Sequence, residues 1–140
     1  MARKLFCDIS PTTYKISVKK EIMLRYLKDF FSTEKTAKTK TDKELPNLVK
    51  GHTSILVRKL HGVDIRLQEN KVTNIEIACS KINGIIVRPG ETFSYWKLVG
   101  NPNRENGFVE GLVIGRDGFY AGVGGGLCQM ANMVHYLVLN

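Results

Sequence analysis

The stretch GVGGGLCQM, Gly122 to Met130, decides how the end of the chain is read. Three consecutive glycines, Gly124, Gly125 and Gly126, lead into Leu127 and Cys128, and an apolar run follows to the end of the 140 residues. At 100° per residue, Met130, Val134, Leu137 and Val138 cluster on one side, with Cys128, Asn132 and His135 on another. A helix over 127–139 is therefore expected, with Cys128 in its first turn. A sulfur there faces unpaired backbone N–H groups and the positive end of the helix dipole, and glycines before it leave it uncovered by side chains. Strand, glycine turn, cysteine, helix is a geometry by which acyl-transfer enzymes present a nucleophile, and the N–H of Cys128 could help hold an oxyanion. The bland alternative is a tight turn with a packed cysteine.

The glycines do not form a nucleotide motif. A P-loop needs Lys followed by Ser or Thr where Leu127 and Cys128 stand, and a dinucleotide fingerprint starting at Gly122 needs glycine at Leu127. Non-specific anion binding at the helix start remains open. No cofactor is implied. His135 shares the face of Cys128, but seven residues at 1.5 Å put the two backbones about 10 Å apart, too far for a direct hydrogen bond. His52 and His61 are remote in sequence, and their approach to Cys128 is left open.

Working outward, GFVEGLVIGRDGFYAGV (107–123) has two short apolar runs around Gly115, Arg116, Asp117 and Gly118, the composition of a β-hairpin. GNPNRENG (100–107) is turn chemistry. In IIVRPGETFSYW (85–96), a short strand at Ile85 to Val87 and a Pro89-Gly90 turn precede aromatic residues. If extended, Phe93 and Tyr95 share one side and Trp96 faces the other. Such rings are more often core than sugar platforms. From Asn70, read as an N-cap, Val72, Ile75, Ala78, Cys79 and Ile82 recur at helical spacing to a closing Gly84, placing Cys79 on the buried stripe. Thr53 to Leu60 suits a strand, with a helical turn also allowed. Residues 32–46 lack apolar periodicity and read as a flexible connector. Ahead of it, Ile16, Met23, Leu27 and Phe30 mark an amphipathic helix near 16–31, startable at Pro11 with Thr12 or Thr13.

Length and composition, 43% hydrophobic and 24% charged, fit one small globular domain. No run is long enough for a membrane span or signal peptide, so the expected location is cytoplasmic. Cys7, Cys79 and Cys128 are too widely spaced for a disulfide framework, zinc ribbon or redox pair. The net charge of +8 is concentrated early: residues 1–50 hold 12 Lys and Arg against 6 Asp and Glu. Anionic lipid, nucleic acid or precursor phosphates could answer that charge, as could water alone. No helix-turn-helix, zinc-finger or RNP-like pattern accompanies it, so no nucleic acid is expected.

QENKVTNIEIA (68–78), NGIIVRPGETFSYWKLVG (83–100), GFVEGLVI (107–114) and GVGGGLCQMAN (122–132), in this order and spacing, resemble the VanW family. Gly124, Gly125, Gly126, Cys128, Gln129 and Asn132 match its signature, as do Gln68, Asn70, Lys71 and Asn74 upstream. The family commonly has Ser at Ala131 and an aromatic pair at His135 and Tyr136. Its domain continues past the cysteine helix into a segment with a His and an Asp. The resemblance therefore implies a C-terminally incomplete domain over 46–140, after a basic helix and connector over 1–45.

The expected fold class is α+β, with short antiparallel strands between helices. The resemblance implies a bacterial protein connected with vancomycin resistance or cell-wall metabolism. Acyl transfer or hydrolysis by Cys128, with Gln129 and Asn132 supporting the oxyanion, is one expectation. Gly124, Gly125, Gly126, Tyr95 and Trp96 would then bind a peptidoglycan precursor. The alternative is a non-catalytic module that binds such a precursor or a glycopeptide. A metal site has least support, because no ligand pair shows recognised spacing.

Overall fold

The computed structural model describes residues 5–115 and 118–139. Arg116 and Asp117, expected at the hairpin tip, lie outside them. The chain divides into two compact units, Met1–Lys35 and Thr36–Asn140.

The first unit is built on helix α1, Pro11–Phe31, preceded by a 3₁₀ turn at Phe6–Asp8. It starts at Pro11, as the sequence allowed, and the cap is the residue before it. Ser10 is the N-cap: its hydroxyl accepts from the N–H of Thr13 at 3.2 Å, and the Thr13 hydroxyl accepts from the N–H of Ser10 at 2.9 Å. Pro11 occupies the first helical position, where its missing N–H costs nothing. No residue of α1 is buried within this unit.

The second unit is α+β. Helix α2 (Ile65–Ile82), the short helix α3 (Tyr95–Val99), strands β1 (Glu110–Gly115) and β2 (Gly118–Val123) and helix α4 (Leu127–Leu139) follow in order. β1 and β2 form the expected antiparallel hairpin, with Glu110 opposite Val123, Gly111 opposite Gly122 and Leu112 opposite Ala121. α2 crosses the hairpin and packs on α4. The core joins Ile75 and Ala78 of α2, Val99 of α3, Phe108 before β1 and Met130 of α4, with Leu56, Tyr95 and Leu127 at its edge. Lys81 closes one side, its ammonium 5.1 Å from the Phe108 ring centroid and donating to the Val99 carbonyl at 2.8 Å.

Several expectations need correction. α2 starts at Ile65, not at residue 70, because Asp64 caps it by accepting from the N–H of Arg66 at 2.9 Å. Asn70 is instead spent on tertiary structure, donating to the Glu110 carbonyl at 2.7 Å. The buried face of α2 is Gln68, Lys71, Asn74, Ile75 and Ala78, and this rotation leaves Cys79 exposed. Thr53 to Leu60 forms neither strand nor helix. The chain is helical from Tyr95, so the alternation assigned to Phe93, Tyr95 and Trp96 does not arise. At Ile85 the extended run is reduced to one antiparallel bridge with Lys40.

That bridge belongs to a wider attachment of the polar stretch after α1. Ala37 is fully buried and its N–H donates to the Thr92 carbonyl at 3.0 Å. Thr41 donates to the Gly84 carbonyl at 2.9 Å, and Ile86 to that of Thr39 at 2.9 Å. Gly84 follows the end of α2 at φ 74°, and a Cβ there would meet the Thr41 oxygen at 2.2 Å. Residues 36–41 are thus held by backbone pairing rather than free.

Candidate functional site

The glycine turn between β2 and α4 is clamped from below by α2. Asn74, fully buried, offers its amide to the backbone as a neighbouring strand would. Its Oδ1 accepts from the Val109 N–H at 2.9 Å, while its Nδ2 donates to the carbonyls of Val109 at 3.0 Å and Gly125 at 2.9 Å. One side chain therefore ties α2, the entry to β1 and the glycine turn together. The closeness requires glycine: a Cβ on Gly125 would stand 2.2 Å from the Gly111 carbonyl carbon. Gly126 has φ 99°, and a Cβ there would run into the Lys71 stem at 2.8 Å.

Lys71 and Gln129 extend the clamp into α4. The ammonium of the largely buried Lys71 donates to Gln129 Oε1 at 3.2 Å. Gln129 Nε2 faces Ser54 Oγ at 3.4 Å and the Ile55 carbonyl at 3.3 Å. Burial lowers the Lys71 ammonium from the ordinary lysine range, and the nearby Arg58 charge adds to it. His52 packs its ring on Tyr136, 4.6 Å between centroids. The segment around 52–56 is thus a strap along α4, which explains why it pairs with no strand.

Cys128 stands exposed in the first turn of α4. The N–H groups of Gly124, Gly125 and Leu127 are taken by the carbonyls of Val109, Gly122 and Gly124. Those of Gly126 and Cys128 have no backbone acceptor among the described residues. None of the three histidines hydrogen-bonds Cys128 among the described residues. No group of three or more His, Cys, Asp or Glu there could hold a metal ion.

The expected site residues therefore separate by role. Gly124, Gly125, Gly126, Cys128 and Gln129 come together at the turn. Asn132 is exposed one turn further along α4. Tyr95 is half-buried, its hydroxyl donating to the Leu127 carbonyl at 3.3 Å, so it braces the start of α4. Burial, and to a lesser degree the negative charge of the Cys79 and Cys128 thiolates, push its phenol up to about 12. Trp96 is partly buried on α3. The Cys79 thiol touches the Met130 sulfur at 4.0 Å, and its pKa is raised by partial burial and then by Glu76.

Asn74 and Lys71, which apolar periodicity leaves out of the candidate site and only the family signature names, organise it. Their signal was a polar stripe at three-residue spacing, Gln68, Lys71 and Asn74, continuing the line to Ala78.

Residues 70–140 match the family described as VanW like protein. Over 104 residues, 74% of this chain and 38% of the relative, the sequence is 36% identical to the vancomycin B-type resistance protein VanW of Enterococcus faecalis. Over 59 residues, 42% of this chain and 20% of the relative, it is 36% identical to the uncharacterized protein YoaR of Bacillus subtilis. The chain thus spans well under half the length of either relative. No solved structure matches. The matched region takes in all but the first five residues of α2, the hairpin, the glycine turn and α4, and so holds Lys71, Asn74, Cys128 and Gln129; the chain belongs to the VanW family.

Proposed function

We propose that the protein serves vancomycin resistance by cysteine chemistry on a cell-wall precursor, with Cys128 as nucleophile. One observation carries the reading. An exposed thiol sits on the first turn of α4, where the N–H groups of Gly126 and of Cys128 itself are unclaimed by backbone acceptors among the described residues, just after a turn that Asn74 fixes from beneath. In this reading the Cys128 sulfur attacks an acyl carbon, and the N–H groups of Gly126 and Cys128 receive the oxygen as it becomes an oxyanion. The bond to the leaving amine or alcohol breaks, and that group departs with the proton given up by the thiol. Water then cleaves the thioester, releasing the acid and restoring the thiol. Gln129 acts as a positioning residue, because Lys71 and the Ser54 strap hold its side chain.

A recognition-only role is favoured by a different observation. Gln129 and Tyr95 spend their polar groups on internal bonds, leaving the turn as a rigid rim. The test is mass spectrometry of the full-length protein incubated with peptidoglycan precursor, alongside vancomycin susceptibility of cells carrying Cys128→Ala. A hydroxylamine-labile acyl mass on the Cys128 peptide, with loss of resistance in the variant, supports the nucleophile. Full resistance with Cys128→Ala refutes it and leaves the binding role.

A further inference from the structure

We infer that α1 is a membrane-surface helix, lying in the headgroup plane of an anionic bilayer independently of the chemistry at Cys128. At 100° per residue, Ile16, Met23, Leu27 and Phe30 fall within about 60°, and Phe31 and Leu24 widen the apolar arc to about 120°. These six side chains are 46–83% exposed, with Phe30 and Phe31 the most exposed of them. Six exposed apolar side chains sharing one face, rather than scattered singly, mark a surface that is normally covered by something.

Charge selects the cover. α1 carries five Lys and Arg against Glu21 and Asp29, a net +3. Lys19 and Lys28 stand at the two edges of the arc and make no ion pair among the described residues. Lys20 interrupts the arc, and its long stem lets the ammonium, 3.3 Å from Glu21, rise to the polar side. Cations bordering an apolar arc, with aromatic rings at one end, fit acyl chains below and anionic headgroups beside. A second copy would bring like charges to the same seam, and a nucleic acid would leave the apolar arc uncovered. α1 lies on such a surface and does not cross it: no helix among the described residues is long and apolar enough to span.

The test is sedimentation of the full chain with vesicles of phosphatidylcholine alone and of phosphatidylcholine with phosphatidylglycerol. Partitioning at least tenfold stronger to the anionic vesicles is expected, weakening as salt rises. Lys19→Gln with Lys28→Gln should weaken it about 30-fold, from about fivefold per basic residue at an anionic surface. Phe30→Ser with Phe31→Ser should weaken it at least tenfold through lost apolar burial. Unchanged Trp96 fluorescence in both variants shows that the second unit is intact. Equal binding to both vesicles, or indifference to both double substitutions, overturns the inference. So does a dimer in sedimentation equilibrium that Phe30→Ser with Phe31→Ser dissociates, because a second copy then covers the face.

Discussion

Replacing Asn74 with Ala should unfold the clamp more than any other single polar truncation in the second unit. The side chain is fully buried and makes three hydrogen bonds. The Val109 carbonyl keeps a partner, because the Gly124 N–H also reaches it at 3.1 Å. The Val109 N–H and the Gly125 carbonyl keep none among the described residues. Each of these two stranded groups costs about 1–3 kcal/mol, so the loss should be about 2–6 kcal/mol. That is a large part of the ~5–15 kcal/mol by which a domain is stable. Asn70→Ala is the control, since it removes one bond to the Glu110 carbonyl at a more exposed position and should cost about 1 kcal/mol. Asn74→Asp keeps the acceptor for Val109 but turns an anionic oxygen toward two carbonyls, which raises the folded-state pKa above the ordinary carboxyl value of about 3.9. Its penalty is present above that raised pKa and shrinks as pH falls through it, so this variant should gain stability toward acid pH. Equilibrium urea unfolding, followed by the single tryptophan, Trp96, measures all three. An Asn74→Ala loss below about 1 kcal/mol, or one no larger than that of Asn70→Ala, would refute the clamp.

Gly125→Ala should destabilise by about 3 kcal/mol or more, because its Cβ would stand 2.2 Å from the Gly111 backbone, whereas Gly90→Ala meets nothing within 4 Å and should lose only about 1 kcal/mol to its positive φ; urea midpoints rank the two. Tyr95, raised to about 12, should appear as a late phenolic transition in an ultraviolet pH titration and vanish in Tyr95→Phe. Because its folded pKa exceeds the unfolded value, its contribution to stability is complete below the unfolded pKa and is lost as pH climbs through the folded one. Lys71→Met keeps a stem against Gly126 and removes a charge that burial disfavours, so its stability should match or exceed that of the parent, while Lys71→Ala should fall below it by about 1–3 kcal/mol. For Cys79, alkylation followed by peptide mass spectrometry should reach half-maximal rate at a higher pH than a model thiol, since burial and Glu76 disfavour its thiolate.

The parts of the fold legible in the sequence are those set by local chemistry. Glycines bracketing two apolar runs give the hairpin, and the spacing after Gly126 gives α4 over the residues expected. The cysteine's place on the first turn of that helix was readable for the same reason. Reading failed where polar side chains substitute for backbone. Asn70 has the composition of a cap, and only the position of β1 shows that its amide is spent on Glu110. Residues 32–46 look unstructured because their side chains are polar. Yet the bonds that hold Thr36 to Thr41 are backbone bonds, which any residue but proline can make and which composition therefore does not reveal.

The misplacement of Cys79 has the same origin and bears directly on the site. Apolar periodicity turns α2 so that Val72 and Cys79 face inward, whereas the observed face is turned toward Lys71 and Asn74. Burying an asparagine is unfavourable unless all its bonds are met, and here the glycine turn and Val109 meet them. The turn in turn can lie so close only because Gly111 and Gly125 lack side chains. The buried amide and the glycine triplet thus require one another: neither the polar stripe of α2 nor the triplet before Cys128 makes physical sense alone. Together they fix the height at which α4 begins, and with it the position of the exposed thiol.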